Sequence, residues 1–398
     1  MNYRIKPSFK VLELLIILLY MNPVGNLVPS YMQILVFFLW LLFALIDREI
    51  TVKIVNFSSL NLLIFLIIFF RSCFSGKLDL NDYFSPIGAS IGRYQLLIYS
   101  IIFLYIRRLN RKEKDTLFFL SIFSMAVTAS FSIYYVAFID PLAVRYSMID
   151  QYWGTGDFQA IYAMAVLIGP LSSLVLDKKR TCRYRLFMLI SLFIMAICLV
   201  LSNLVTSVII AALSIIVSFY LENRNGVKPL FLGMISIVGI ALKNVWADLI
   251  FVIADSGMFF WSTADKMRTV ADLLKGNADN LNTLGLRMRL AKISLDTFKK
   301  NPIWGLDFKD YGQNTIGSHN QWTDDLARFG ILGNLLIWWN YIRLFNMSVH
   351  YMDSEHIKNA LKTVWFIFFV FGFLNPCLIG QVLAVIFIVV PTMNDSCT

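Results

Sequence analysis

His319 is the side chain in this sequence best suited to move a proton at neutral pH. It lies in Ser318-His319-Asn320-Gln321-Trp322, where a long polar stretch gives way to an apolar run carrying Gly330-Ile331-Leu332-Gly333. A neutral imidazole, with an ordinary pKa near ~6.5, can accept the proton of a hydroxyl. Asn320, Asp324 and Asp325 follow closely enough to orient or tune it. Junctions of loop and helix often carry function. The plainer alternative is a surface histidine that hydrogen-bonds the start of a helix. The adjacent Asp324-Asp325 is a weak cation-site signal, and nothing else in the sequence argues for a metal.

Positive charge is available from several arginines. Arg287 and Arg289 fall in a segment, Thr283 to Lys300, whose apolar residues Leu286, Leu290 and Ile293 recur at helical spacing among basic ones. That pattern is a basic amphipathic helix lying in a membrane interface. A guanidinium fork there can grip phosphate oxygens in a bidentate manner. General attraction to anionic headgroups explains the same residues equally well. Arg145 lies in an earlier polar interval, ahead of Gly154-Thr155-Gly156. Arg93 stands inside an apolar run, Ser90-Ile91-Gly92-Arg93-Tyr94. An ionisable group within a span is costly and by default marks function, unless it snorkels to the interface. Gly330 and Gly333, one helical turn apart, read as small residues that let a neighbouring helix approach.

The elements that must position these groups are apolar. Of 398 residues, 58% are hydrophobic and the mean hydropathy is +0.68. Runs long enough to cross a bilayer recur along the chain, about twelve by the length criterion. The expected fold is an all-α polytopic membrane protein. Residues 1–253 form a scaffold of about nine spans, 254–324 a large extracytoplasmic loop, and 325–398 the C-terminal spans. Lysine and arginine gather in alternate short loops, at 107–114 and 178–185 above all, which places both termini and these loops in the cytoplasm. The net charge of +10 therefore reflects membrane topology, and nucleic acid is not an expected partner.

This topology narrows the chemistry. His350 and His356 fall on the cytoplasmic side, as do the glutamates, so His319 is the outer face's neutral-pH base. Asn301-Pro302 ends the amphipathic helix. The five cysteines match no disulfide framework or zinc spacing. No Asp-x-Asp, phosphate-cradling Gly-Lys-Ser/Thr, Gly-x-Ser-x-Gly or His-Glu-x-x-His motif is present.

His319-Asn320, then nine residues, then Gly330-Ile331-Leu332-Gly333 resembles the pattern of the O-antigen ligase and polymerase family of bacterial envelope proteins. Arg287 through Leu295, followed by Asn301-Pro302-Ile303-Trp304-Gly305, resembles that family's arginine-bearing helix and its Asn-Pro-apolar-apolar-Gly run. Arg145 and Gly156, with ten residues between, match an arginine–glycine spacing of its polymerases. Two departures stand out. Leu306-Asp307 replaces a frequent second glycine, and Ser202-Asn203 lacks the arginine that often follows the serine.

The resemblance implies a GT-C type glycosyltransferase of the bacterial plasma membrane, without cofactor or metal. It would take glycan from an undecaprenyl-diphosphate-linked oligosaccharide and pass it to an acceptor hydroxyl on the outer face. Under it, His319 is the catalytic base. Arg287 and Arg145, with Arg289 and Arg93, bind the donor diphosphate. Asn320 orients His319, Asp324 supports the site, and Trp322 stacks on a sugar. The expected activity is polymerisation of repeat units for capsule, O-antigen or exopolysaccharide, with a flippase and a chain-length regulator as partners. Alternatives are ligase-type transfer of finished glycan, or a flippase. A flippase would require charge through many spans, whereas Arg93, Lys243 and Asp248 are the candidates at depth here.

Overall fold

The computed structural model describes residues 6–28, 30–46, 53–74, 86–144, 154–177, 181–222, 243–257, 261–275, 282–306, 314–352 and 354–393. All regular structure among them is helical. The apolar runs become α1 (Pro7–Tyr20), α2 (Ser30–Ile46), α3 (Lys53–Phe74), α4 (Pro86–Ile106), α5 (Arg111–Phe138), α6 (Phe158–Leu176), α7 (Cys182–Leu201) and α8 (Val205–Glu222). The C-terminal part holds α9 (Lys243–Asp255), α10 (Trp261–Lys275), α11 (Asn282–Lys300), α12 (Gln321–His350), α13 (Glu355–Leu374) and α14 (Gly380–Thr392). Five of these, α5 to α8 and α13, are long and apolar enough to cross a membrane. The ninth expected span, 229–253, lies outside the described residues up to 242.

The polar stretch holds more helix than its periodicity suggests. Besides the expected α11 it contains α10, whose Lys275 reaches Asp248 of α9 at 2.6 Å and whose Arg268 reaches Asp255 at 2.6 Å. Asp248 is therefore an exposed, ion-paired member of a helix pair.

The chain forms two compact units. One combines Met1–Trp40 with Asp115–Gly285 and Asn394–Thr398; the other combines Leu41–Lys114 with Leu286–Met393. The three-part division expected above follows the polarity of the sequence instead. In the first unit α6 is the core helix, its residues almost all buried. Gly169 lets it meet the Ser214 backbone of α8 directly, and Ser214 Oγ donates to Val166 O at 2.7 Å.

In the second unit α12 is the pivotal element. Gly330 takes φ 62° and ψ −169°, which splits it into a first half, 321–329, and a longer second half. The exposed apolar stripe Ile331, Leu332, Leu335, Trp339 and Ile342 begins only after the kink. The first half instead buries Asp324, Asp325 and Arg328. The exposed apolar face of this helix thus starts at 331, whereas the expected apolar run begins at 325. α14 is buried throughout and contains one π-helical turn, Val385–Val389.

Candidate functional site

Two sequence motifs meet at the α12 kink. Gly330 leaves helical geometry, so the N–H groups beyond it need new acceptors. The turn after α11 supplies them: Ile331 N donates to Pro302 O at 2.8 Å and Leu332 N to Ile303 O at 3.3 Å. In return Leu306 N donates to Ala327 O at 2.8 Å. Gly305, at φ 77°, lies so close that a Cβ there would meet the Arg328 carbonyl, and one on Gly330 would meet that of Ile303. Both glycines are needed for backbone to dock on backbone. The expectation that Gly330 and Gly333 admit a neighbouring helix is corrected accordingly. Gly330 admits the Pro302–Gly305 turn, and Gly333 faces Phe329 of its own helix across the kink.

The segment bearing His319 is bracketed from α11. Ser294 Oγ accepts from Gly317 N at 2.9 Å and donates to Asp324 Oδ1 at 2.6 Å, so one hydroxyl holds both flanks of His319. Gly317 sits against the Leu290 backbone, where no Cβ would fit. Ser318 takes φ 65°, a left-handed conformation rare for a residue with a side chain. Asn320 then caps α12, its Oδ1 accepting from Trp322 N and Thr323 N at 3.1 Å each.

The far end of α13 closes the arrangement. The last carbonyls of a helix lack intrahelical partners and attract cations and donors. Asn320 Nδ2 donates to Phe373 O at 3.2 Å, and Arg287 Nη1 donates to the next carbonyl, Leu374 O, at 3.0 Å. Arg287 and Ser294 are seven residues apart on α11 and so share one helical face. Arg289, two residues on, is exposed.

Arg287 and His319 are close enough for their charges to interact. Partial burial holds the His319 pKa below its ordinary value, and the Arg287 guanidinium lowers it further. The imidazole itself remains exposed. A neutral base beside a fixed cation can accept a proton while the cation stabilises developing negative charge. Among the described residues, no group of three His, Cys, Asp or Glu side chains could hold a metal ion.

Other expected site residues sit elsewhere. Trp322 is only 4% exposed, with its Nε1 donating to Phe369 O at 3.0 Å. Its ring packs on Gly372 and lies 4.8 Å from that of Trp338. It is a core residue, unable to offer a face to a sugar. Asp324 is buried on Ser294 near Arg328, in a supporting place and not a binding one. Arg93 is 2% exposed and paired with Asp325 at 2.8 Å. Its charge is committed within the protein and does not face a donor. Arg145 lies outside the described residues.

Sequence reasoning missed Ser294, whose signal was its spacing of seven from Arg287. It also missed the pairing of Arg93 with Asp325, although two opposite charges in apolar runs invite it. The carbonyls of Phe373 and Leu374 carry no side-chain signal at all. No protein-family model and no curated protein matches the chain.

Proposed function

We propose that the protein is a membrane glycosyltransferase that polymerises oligosaccharide repeat units carried on undecaprenyl diphosphate, at the outer face of the bacterial plasma membrane. The observation that carries this reading is the convergence of Arg287 and Asn320 on consecutive carbonyls at the end of α13, which sets a guanidinium beside His319. The resemblance of the His319–Gly333 and Arg287–Gly305 stretches to the O-antigen ligase and polymerase family supplies the substrate class. The helices long and apolar enough to span a membrane suit a lipid-linked donor.

In the proposed reaction the acceptor hydroxyl oxygen attacks the anomeric carbon of the donor sugar. The bond from that carbon to the diphosphate breaks, and its electron pair leaves with undecaprenyl diphosphate. His319 takes the hydroxyl proton. Arg287 stabilises the charge gathering on the diphosphate, which a planar fork does better than a point charge. Arg145 keeps its expected part in binding the diphosphate, and the exposed Arg289 is left the role of drawing the anionic carrier to the site.

The test is the full chain, purified into vesicles with lipid-linked repeat units as the only glycan. A ladder of products on the carrier supports a polymerase. Transfer that waits for a second acceptor replaces this reading with a ligase. Movement of the carrier across the bilayer without any new glycosidic bond overturns both.

A further inference from the structure

We propose that the buried ion pair of Arg93 and Asp325 is a positioning device that fixes the angle of the α12 kink and thereby places His319. The proposal rests on the reading of His319 as the base. Arg93 enters from α4 and touches α12 on both sides of Gly330. Before the kink its Nη2 meets Asp325 Oδ1 at 2.8 Å, and its guanidinium lies 4.8 Å from the centre of the Phe329 ring. After the kink its Nη1 lies 3.5 Å from the Tyr341 hydroxyl. One side chain therefore ties the two halves of a broken helix together. A second contact passes the restraint toward the active segment: Gln321 Nε2 donates to Asp325 Oδ1 at 3.1 Å, and Gln321 directly follows the Asn320 cap.

Stability alone is a poor reason for this arrangement. Desolvating two charges offsets much of their attraction, and apolar replacements of buried pairs are often neutral or stabilising. A kinked helix is different. Its first half lacks the continuous hydrogen bonding that would fix its direction, and the side chains spanning the break must do so instead. The turn at Pro302–Leu306 pins one side of the kink through backbone bonds. Arg93 pins it from α4, with a planar group that can serve Asp325, Tyr341 and Phe329 together.

The decisive variant is Arg93→Met with Asp325→Leu in the full chain, reconstituted in vesicles. It removes both charges at once, so no unpaired ion is left buried. The expected result is a melting midpoint within ~2 °C of the parent, kcat for transfer down about tenfold, and KM within about twofold. The Trp322 and Thr323 amides, bonded to Asn320, should exchange with deuterium at least about tenfold faster. Parent kcat with parent exchange would make the pair a space-filler and overturn the proposal. A raised KM with unchanged exchange would also overturn it, because Arg93 would then act on substrate. Should the double variant fail to accumulate, Gln321→Met cuts the link without touching the charges. A two- to fivefold loss of kcat is expected there, with faster exchange, and no change in either would again overturn the idea. If His319→Ala transfers normally, the catalytic reading fails, while the exchange result still reports on the kink.

Discussion

Two helices in this protein begin alike and are used differently. α6 opens on Gly154-Thr155-Gly156-Asp157, and α12 on Gly317-Ser318-His319-Asn320. Each has an extended N-cap residue whose side-chain oxygen accepts from the first turn, Asp157 from Ala160 N at 3.0 Å and Asn320 from Trp322 and Thr323. In the first segment the left-handed residue is Gly154, at φ 85°, where the conformation costs little. Its neighbours are sealed in: Thr155 O accepts from Asn22 Nδ2 at 2.9 Å, and Gly156 N donates to Ser132 Oγ at 2.7 Å. In the second the left-handed residue is Ser318, and the next residue is an exposed histidine. Strained backbone persists where the surroundings over-determine it, and Ser294 and Asn320 provide that restraint here. The same capping device thus closes one helix end and presents an exposed histidine at the other.

The sharpest way to break this contrast is His319→Ala. The proposed role of the imidazole predicts a loss of transfer of at least ~100-fold, the usual scale for a positioned base. The melting midpoint should hardly move, because His319 is exposed and anchors nothing. Quantifying product on the lipid carrier, at matched protein level, checks it. Transfer within threefold of the parent would leave the two helix starts functionally equal.

Gly330→Ala comes next. The new Cβ would be strained at φ 62° and would meet the Ile303 carbonyl, so the turn after α11 must separate from the kink. A destabilisation of about 2–4 kcal/mol is expected, with transfer falling by tenfold or more. Thermal melts and transfer assays on one preparation would separate the two losses. Gly257 offers the control, since nothing lies within 4 Å of a Cβ there and only its φ of 74° opposes alanine.

These glycines show how far the sequence could be read. Helix positions followed from hydropathy, because burial of apolar faces decides them and leaves a periodic trace. Eleven of the twelve expected apolar runs coincide with described helices, five of which are long and apolar enough to cross a membrane. The pairing of the Asn301–Gly305 turn with Gly330 was not legible, because backbone-to-backbone docking has no signature beyond two glycines. Trp322 was misread for a related reason: an aromatic residue beside a histidine looks the same whether it faces sugar or the core. What buries it is Gly372, fifty residues away, with the Phe369 carbonyl.

Arg287→Lys is a smaller and more specific test. The ammonium keeps the charge but not the fork that bonds Leu374 O while serving a diphosphate, so kcat/KM should fall about tenfold. Arg287→Gln adds a pH signature. A base must be neutral to act, and the Arg287 charge helps keep the His319 pKa below its ordinary value. Removing that charge raises the pKa, so the acidic limb of the kcat/KM profile should move to higher pH. A limb that stays in place would separate Arg287 from His319.

The mildest expected effect lies at the other helix start and concerns stability. Burial pushes the Asp157 carboxyl up to about 6, against the backbone N–H groups of Ala160 and Gln159 that pull it down. A carboxyl whose folded pKa exceeds its unfolded one stabilises the fold below the unfolded value, near ~3.9, and loses that contribution as pH rises through about 6. Asp157→Asn keeps an oxygen to cap α6, and asparagine caps as well as aspartate. The variant should therefore be more stable than the parent at pH 7, by no more than about 3 kcal/mol. The two should converge near pH 4, and transfer should be unchanged at every pH. A change in the transfer profile would mean that this segment, too, takes part in the reaction. A parent melting curve that is flat between pH 4 and 7 would mean that the carboxyl is better solvated than its place at the head of α6 implies.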